Sequence, residues 1–110
     1  MIRLMVAAGS IATVLVCLGS PAAAQGNADQ GKALFTQKCL ICHSLEGKGN
    51  KAGPMEGVGS KVKADEMRDW ITNPDEMYVK AKATRTPKMM KLQLTKEQVD
   101  DLVAFLQTLK

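Results

Sequence analysis

Cys39, Cys42 and His43 constrain this chain more than any other residues, because they stand together as Cys39-Leu40-Ile41-Cys42-His43 and have almost no counterparts elsewhere. His43 is the single histidine among 110 residues, and the third cysteine, Cys17, lies in an apolar N-terminal stretch. Four aromatic residues, Phe35, Trp70, Tyr78 and Phe105, give little bulk for a core. A chain so short and so poor in rings wants a disulfide, a metal or a bound group to complete its interior. Large multi-site enzymes are excluded by length alone.

The spacing of the motif selects among these. Two thiols three positions apart reach two vinyl groups at one edge of a porphyrin, and a histidine directly after the second thiol is then held beneath the iron. Cys39 and Cys42 are therefore read as thioether attachment points for one haem c, and His43 as a ligand of its iron. Structural zinc needs four ligands, usually in two separated pairs, and no second pair exists. A thioredoxin-type redox pair needs alternating strands and helices, whereas the flanks here are helical on one side and glycine-rich on the other. A simple disulfide between Cys39 and Cys42 stays open. With no second histidine in the chain, the far side of the iron falls to methionine, another weaker donor or nothing, and methionine leads.

Residues 1–24 read as an export signal, with Arg3 at the start, an apolar run from Leu4 to Leu18, a break at Gly19-Ser20-Pro21 and small residues at Ala22-Ala23-Ala24. The apolar run is shorter than the roughly 20 residues a spanning helix needs. Val16 is bulky where a lipoprotein signal has a small residue before its cysteine, so Cys17 is read as part of a discarded leader. The expected organisation is a signal peptide over 1–24 and one domain over 25–110, soluble in the periplasm after cleavage. Export and haem attachment outside the cytoplasm support one another.

Asn27 with Gln30 three residues later predicts a capped helix whose face carries Ala28, Gly31, Phe35 and Cys39 and leads directly into the motif. Gly31 costs such a helix about 1 kcal/mol against alanine, which points to a close approach by another helix. Thr95 and Gln98 form a capping box ahead of a stripe of Val99, Leu102, Val103, Leu106 and Leu109, flanked by Phe105, expected to pack on the first helix. Between them, Gly47, Gly49, Gly53, Pro54, Gly57 and Gly59 crowd one stretch, which forbids a regular element and suggests backbone wrapped closely around the haem. No glycine-lysine pair here is followed by serine or threonine, as a phosphate-binding loop requires. Ala64 to Thr72 reads as a short helix burying Met67, Trp70 and Ile71, stopped at Asn73-Pro74.

Met55, Met67, Met77, Met89 and Met90 are available downstream of the leader, and the default role of methionine is to fill gaps in a core. Met89 and Met90 differ from the others in standing on a late segment, Thr86-Pro87-Lys88-Met89-Met90, just before the last helix, from which they can swing to the other face of the haem. Neighbours in an extended segment point opposite ways, so only one reaches the iron.

In order along the chain, the helix running into CxxCH, Gly53-Pro54 with Gly57 and Gly59, Trp70-Ile71 and the Asn73-Pro74 stop, Pro87-x-Met89 and the final amphipathic helix resemble the class I cytochromes c. The resemblance spans nearly all of residues 25–110. It implies an all-α fold in which N- and C-terminal helices cross and short helices and loops wrap one haem c. It implies that Met89, two places after the loop proline, ligates the iron opposite His43, and that the Pro54 carbonyl orients the His43 ring through its N–H. It further implies that Trp70 contacts a haem propionate and that Gly31 and Phe35 cross against Leu102 and Phe105. Unrelated helical-bundle cytochromes carry CxxCH near the C-terminus, unlike this chain.

With His43 and Met89 both on the iron, no coordination position is open to a substrate, and the chain reads as a single-electron carrier, not an enzyme. Thioether ligation favours the reduced iron and raises the potential relative to two nitrogen ligands. The net charge of +4 is unevenly spread: Lys80, Lys82, Arg85, Lys88 and Lys91 make residues 80–91 purely basic, whereas Asp65, Glu66, Asp69, Asp75 and Glu76 outweigh Arg68 just before them. Acidic redox proteins docking near residues 80–91 are the expected partners. So few rings to stack on bases speaks against nucleic acid. A haem c subunit of a larger periplasmic oxidoreductase differs from the free carrier only in its partner. A haem enzyme or gas sensor requires both Met89 and Met90 to be off the iron.

Overall fold

The computed structural model describes residues 26–110 and the isolated Val14, so the predicted leader otherwise lies outside the described residues. Asn27, in an extended conformation, accepts a hydrogen bond from Gln30 N at 3.1 Å and opens α1, Ala28–Lys38. Asp29 in its first turn and Lys38 in its last both suit the helix dipole. At the other end, Thr95 and Gln98 close the predicted capping box, with Gln98 N donating to Thr95 Oγ1 at 3.2 Å and Thr95 N donating to Gln98 Oε1 at 2.9 Å. They start the last helix, Lys96–Gln107.

These two helices cross, and Gly31 lets them. A Cβ built there would collide with the Asp101 carbonyl and with Phe105 Cβ, so the predicted close approach falls at this glycine. One turn on, the Phe35 and Phe105 rings tilt against each other with centroids 5.6 Å apart, an arrangement that adds about 0.5–1.5 kcal/mol beyond burial. The Asn27 backbone N–H donates to Asp101 Oδ1 at 2.7 Å and pins the start of α1 to the same helix.

The connecting chain departs from expectation in three places. The glycine-rich stretch is not wholly irregular: β1, Ser44–Leu45, and β2, Lys48–Gly49, pair antiparallel, turning through Glu46 and Gly47, both at positive φ. The one-turn α2, Val58–Lys61, follows and docks on the end of the last helix, where Gly59 N donates to Leu109 O at 2.7 Å. Next, α3, Ala64–Thr72, ends at Asn73 as predicted and buries Met67 and Ile71, but Trp70 is only half-buried because it lies to one side of the face those two define. Finally, the Asn-Pro stop is also a start: Pro74 occupies the first turn of α4, Pro74–Lys80, where its missing N–H costs nothing and Asp75 and Glu76 suit the dipole.

With α5 denoting Lys96–Gln107, the core unites Leu34 and Phe35 of α1, Leu45, Met67 and Ile71 of α3, and Val99, Leu102, Val103, Phe105 and Leu106 of α5. Leu34 joins the buried face of α1, whereas Ala28 and Cys39 only line its margin. Across the top of the core, Arg68 of α3 pairs with Asp100 of α5 at 2.6 Å, and Lys96 joins them at 3.0 Å.

Candidate haem site

Helix α1 runs into the motif without a break in hydrogen bonding. Cys39 N donates to Phe35 O at 2.8 Å, and the Cys39 carbonyl then accepts from Cys42 N at 3.2 Å and His43 N at 2.9 Å. Residues 39–43 thus form a tight turn hung from the helix end, with both thiols half-buried and free and Ile41 between them 76% exposed. Burial, with a smaller contribution from the neighbouring Cys42, pushes the Cys39 thiol up to about 11. A redox-active pair of the thioredoxin kind needs the opposite, a stabilised thiolate.

The loop after the turn folds back beneath His43. Ser44 N donates to Gly53 O at 3.0 Å and Met55 N to Ser44 O at 2.9 Å, a parallel bridge between Ser44 and Pro54. In that pattern the Gly53 carbonyl faces the motif and the Pro54 carbonyl faces away. The His43 Nδ1–H accordingly donates to Gly53 O at 3.1 Å. This corrects the expected Pro54 contact by one residue. Burial lowers the His43 pKa from its ordinary value, the Gly53 hydrogen bond opposes that shift, and the Arg85 charge adds to it. The outcome is a neutral imidazole with its proton on Nδ1 and a free lone pair on Nε2 that can bind a metal.

This set of donors fits the group the motif predicts: two free thiols on one turn, and an imidazole directly after them with its tautomer fixed by a backbone carbonyl. The family pattern described as Cytochrome c matches residues 28–110. The chain belongs to the cytochrome c family. It is a class I, monohaem c-type cytochrome with the all-α architecture of that class, and membership implies a covalently bound haem c and a role in electron transport. A Cytochrome c-553-like protein of Synechocystis sp. is 24% identical over 87 residues, covering 79% of this chain and 73% of the relative. No solved structure matches significantly.

The methionines of this cytochrome sort by burial. Met67 and Met77 are inside, at 3% and 6% exposure. Met55 and Met89 are half-buried and pack against the core, whereas Met90 is 64% exposed. The doublet is therefore split as an extended segment demands, with Met89 inward and Met90 outward.

Arg85 was not among the residues the sequence singled out for the site. It stands out as one of five cations in a basic run and by nothing else. In the fold its Nη2 donates to the Cys42 carbonyl at 2.6 Å, and a Cβ on Gly53 would strike the guanidinium. The buried Gly53 thus serves twice, through its carbonyl and through its lack of a side chain. Among the described residues no helix is long and apolar enough to cross a membrane.

Proposed function

We propose that this protein is an exported single-electron carrier whose haem c is held through Cys39 and Cys42 and ligated by His43 and Met89. The observation that carries the reading is the committed Nδ1–H of His43, donated to Gly53 O at 3.1 Å on the turn that presents both thiols. Bound there, haem c supplies an iron that alternates between the ferric and ferrous states by one electron. The chain's residues do the rest. Burial keeps the imidazole neutral, while the Gly53 carbonyl orients it through Nδ1–H and raises the basicity of Nε2. Met89 offers a soft thioether that favours the reduced state. His43 and Met89 together would hold the iron, so that the residues would leave no place for a substrate to coordinate and the group would supply electron transfer alone.

The side chains of Lys80, Lys82, Arg85, Lys88 and Lys91 are exposed and give one region a positive potential, which suits docking by acidic redox proteins. Release into the periplasm follows from the reading of residues 1–24 as a signal peptide.

The ligand assignment is tested by the visible spectrum of the purified protein with Met89→Leu and Met90→Leu. The methionine-to-iron charge-transfer band is expected to vanish in Met89→Leu and to persist in Met90→Leu. Loss of the band in the Met90 variant alone contradicts the assignment.

A further inference from the structure

The segment that carries Met89 is hydrogen-bonded to the rest of the fold through one side chain. Among the described residues, Arg85 makes the single protein hydrogen bond of residues 84–91; the backbone bonds resume only at Leu94 N to Leu92 O and end, on the other side, at Ala83 N to Tyr78 O. Lys88 adds a looser contact, its Nζ lying 4.8 Å from the centre of the Tyr78 ring. Arg85 reaches across 43 positions of sequence to the Cys42 carbonyl, the residue directly before His43. Its guanidinium settles in the space that Gly53 leaves bare, beside the same glycine whose carbonyl orients the His43 ring.

From this geometry we propose that Arg85 is a positioning residue: it ties the segment bearing the distal ligand to the backbone of the proximal loop and so keeps Met89 seated on the iron. The inference rests on the Met89 reading given above. A thioether is a weak donor, and a loop without ladder hydrogen bonds spends more time away from any weak contact at its tip. A charge-assisted hydrogen bond from a planar guanidinium to a backbone carbonyl restrains that loop in position and orientation at once. Lysine keeps the charge and loses the fork.

The experiment is imidazole binding to the ferric holoprotein, followed by loss of the methionine-to-iron band, in Arg85→Gln, Arg85→Lys and Lys51→Gln. Imidazole takes the iron only in molecules whose methionine is off, so its apparent affinity reports that fraction. Arg85→Gln is expected to bind imidazole roughly ten- to hundredfold more tightly, the weight of one charge-assisted hydrogen bond, while its resting spectrum retains the band. Arg85→Lys falls between it and the wild type, and Lys51→Gln, an equal loss of charge from an exposed position, matches the wild type. Wild-type affinity in Arg85→Gln overturns the proposal, as does an equal rise in Lys51→Gln. Should Arg85→Gln fold poorly, as judged by its melting temperature, Arg85→Lys decides: affinity equal to the wild type overturns the proposal. A band that survives Met89→Leu faults the ligand reading itself, a result distinct from any of these.

Discussion

His43 has two ring nitrogens and one partner, and that asymmetry organises the site. Gly53 O takes the Nδ1 proton, so the lone pair on Nε2 is available without competition from protonation, which burial already disfavours. The proposed choice of distal donor follows the same logic of exposure. Met89 packs against the core while Met90 faces solvent, which is why the proposal takes the first as the ligand. The two leucine substitutions therefore differ in more than colour: Met89→Leu is expected to lower the reduction potential, since the soft ligand that favours ferrous iron is gone, and Met90→Leu to leave it near the wild-type value. Protein-film voltammetry compares them directly, and equal potentials for the two variants would contradict the assignment.

At the scale of elements, what a local signal specifies was legible and what a tertiary contact specifies was not. Both end helices could be read because caps and apolar stripes are written within a few residues, as at Asn27 with Gln30 and Thr95 with Gln98. CxxCH was legible for the same reason. Helix α4 was missed because Asn73-Pro74 was read as a stop, although proline followed by two acids also describes a helix start. The Gly53 contact in place of Pro54 depends on which carbonyl a bridge turns inward, and Arg85 depends on a partner 43 positions away; neither leaves a trace in local sequence. The packing of α3 on α5 offers a test with a definite sign. Hydrogen bonds from Lys96 and Arg68 hold the Asp100 carboxyl below its ordinary 3.8. A carboxyl lowered in the folded state contributes stability that is fully present above 3.8 and is lost as pH falls through its folded value. The melting temperature should therefore drop on acidification below that point, and Asp100→Asn should melt lower at neutral pH and show a shallower acid decline. An unchanged acid decline in the variant would contradict the network's role.

For the molecule as a whole, charge separation is the feature most open to a partner. The basic run of residues 80–91 lies immediately after the acidic helices α3 and α4 in the chain, and its cations stand exposed on the segment that also carries Met89. Long-range attraction of this kind is screened within about 10 Å at 0.1 M salt. The bimolecular rate with an acidic electron acceptor is thus expected to fall at least severalfold as ionic strength rises from millimolar to physiological, and to rise with salt for a basic acceptor. A rate indifferent to salt in stopped-flow measurements would contradict steering. Everything at this scale presupposes that the small core is completed by a group bonded to the polypeptide. The most direct measurement is the mass of the denatured, purified protein after expression with a competent haem-attachment system. One haem is expected to be retained per chain and lost when Cys39 and Cys42 are both replaced by alanine; a denatured chain with the mass of bare polypeptide would contradict covalent attachment.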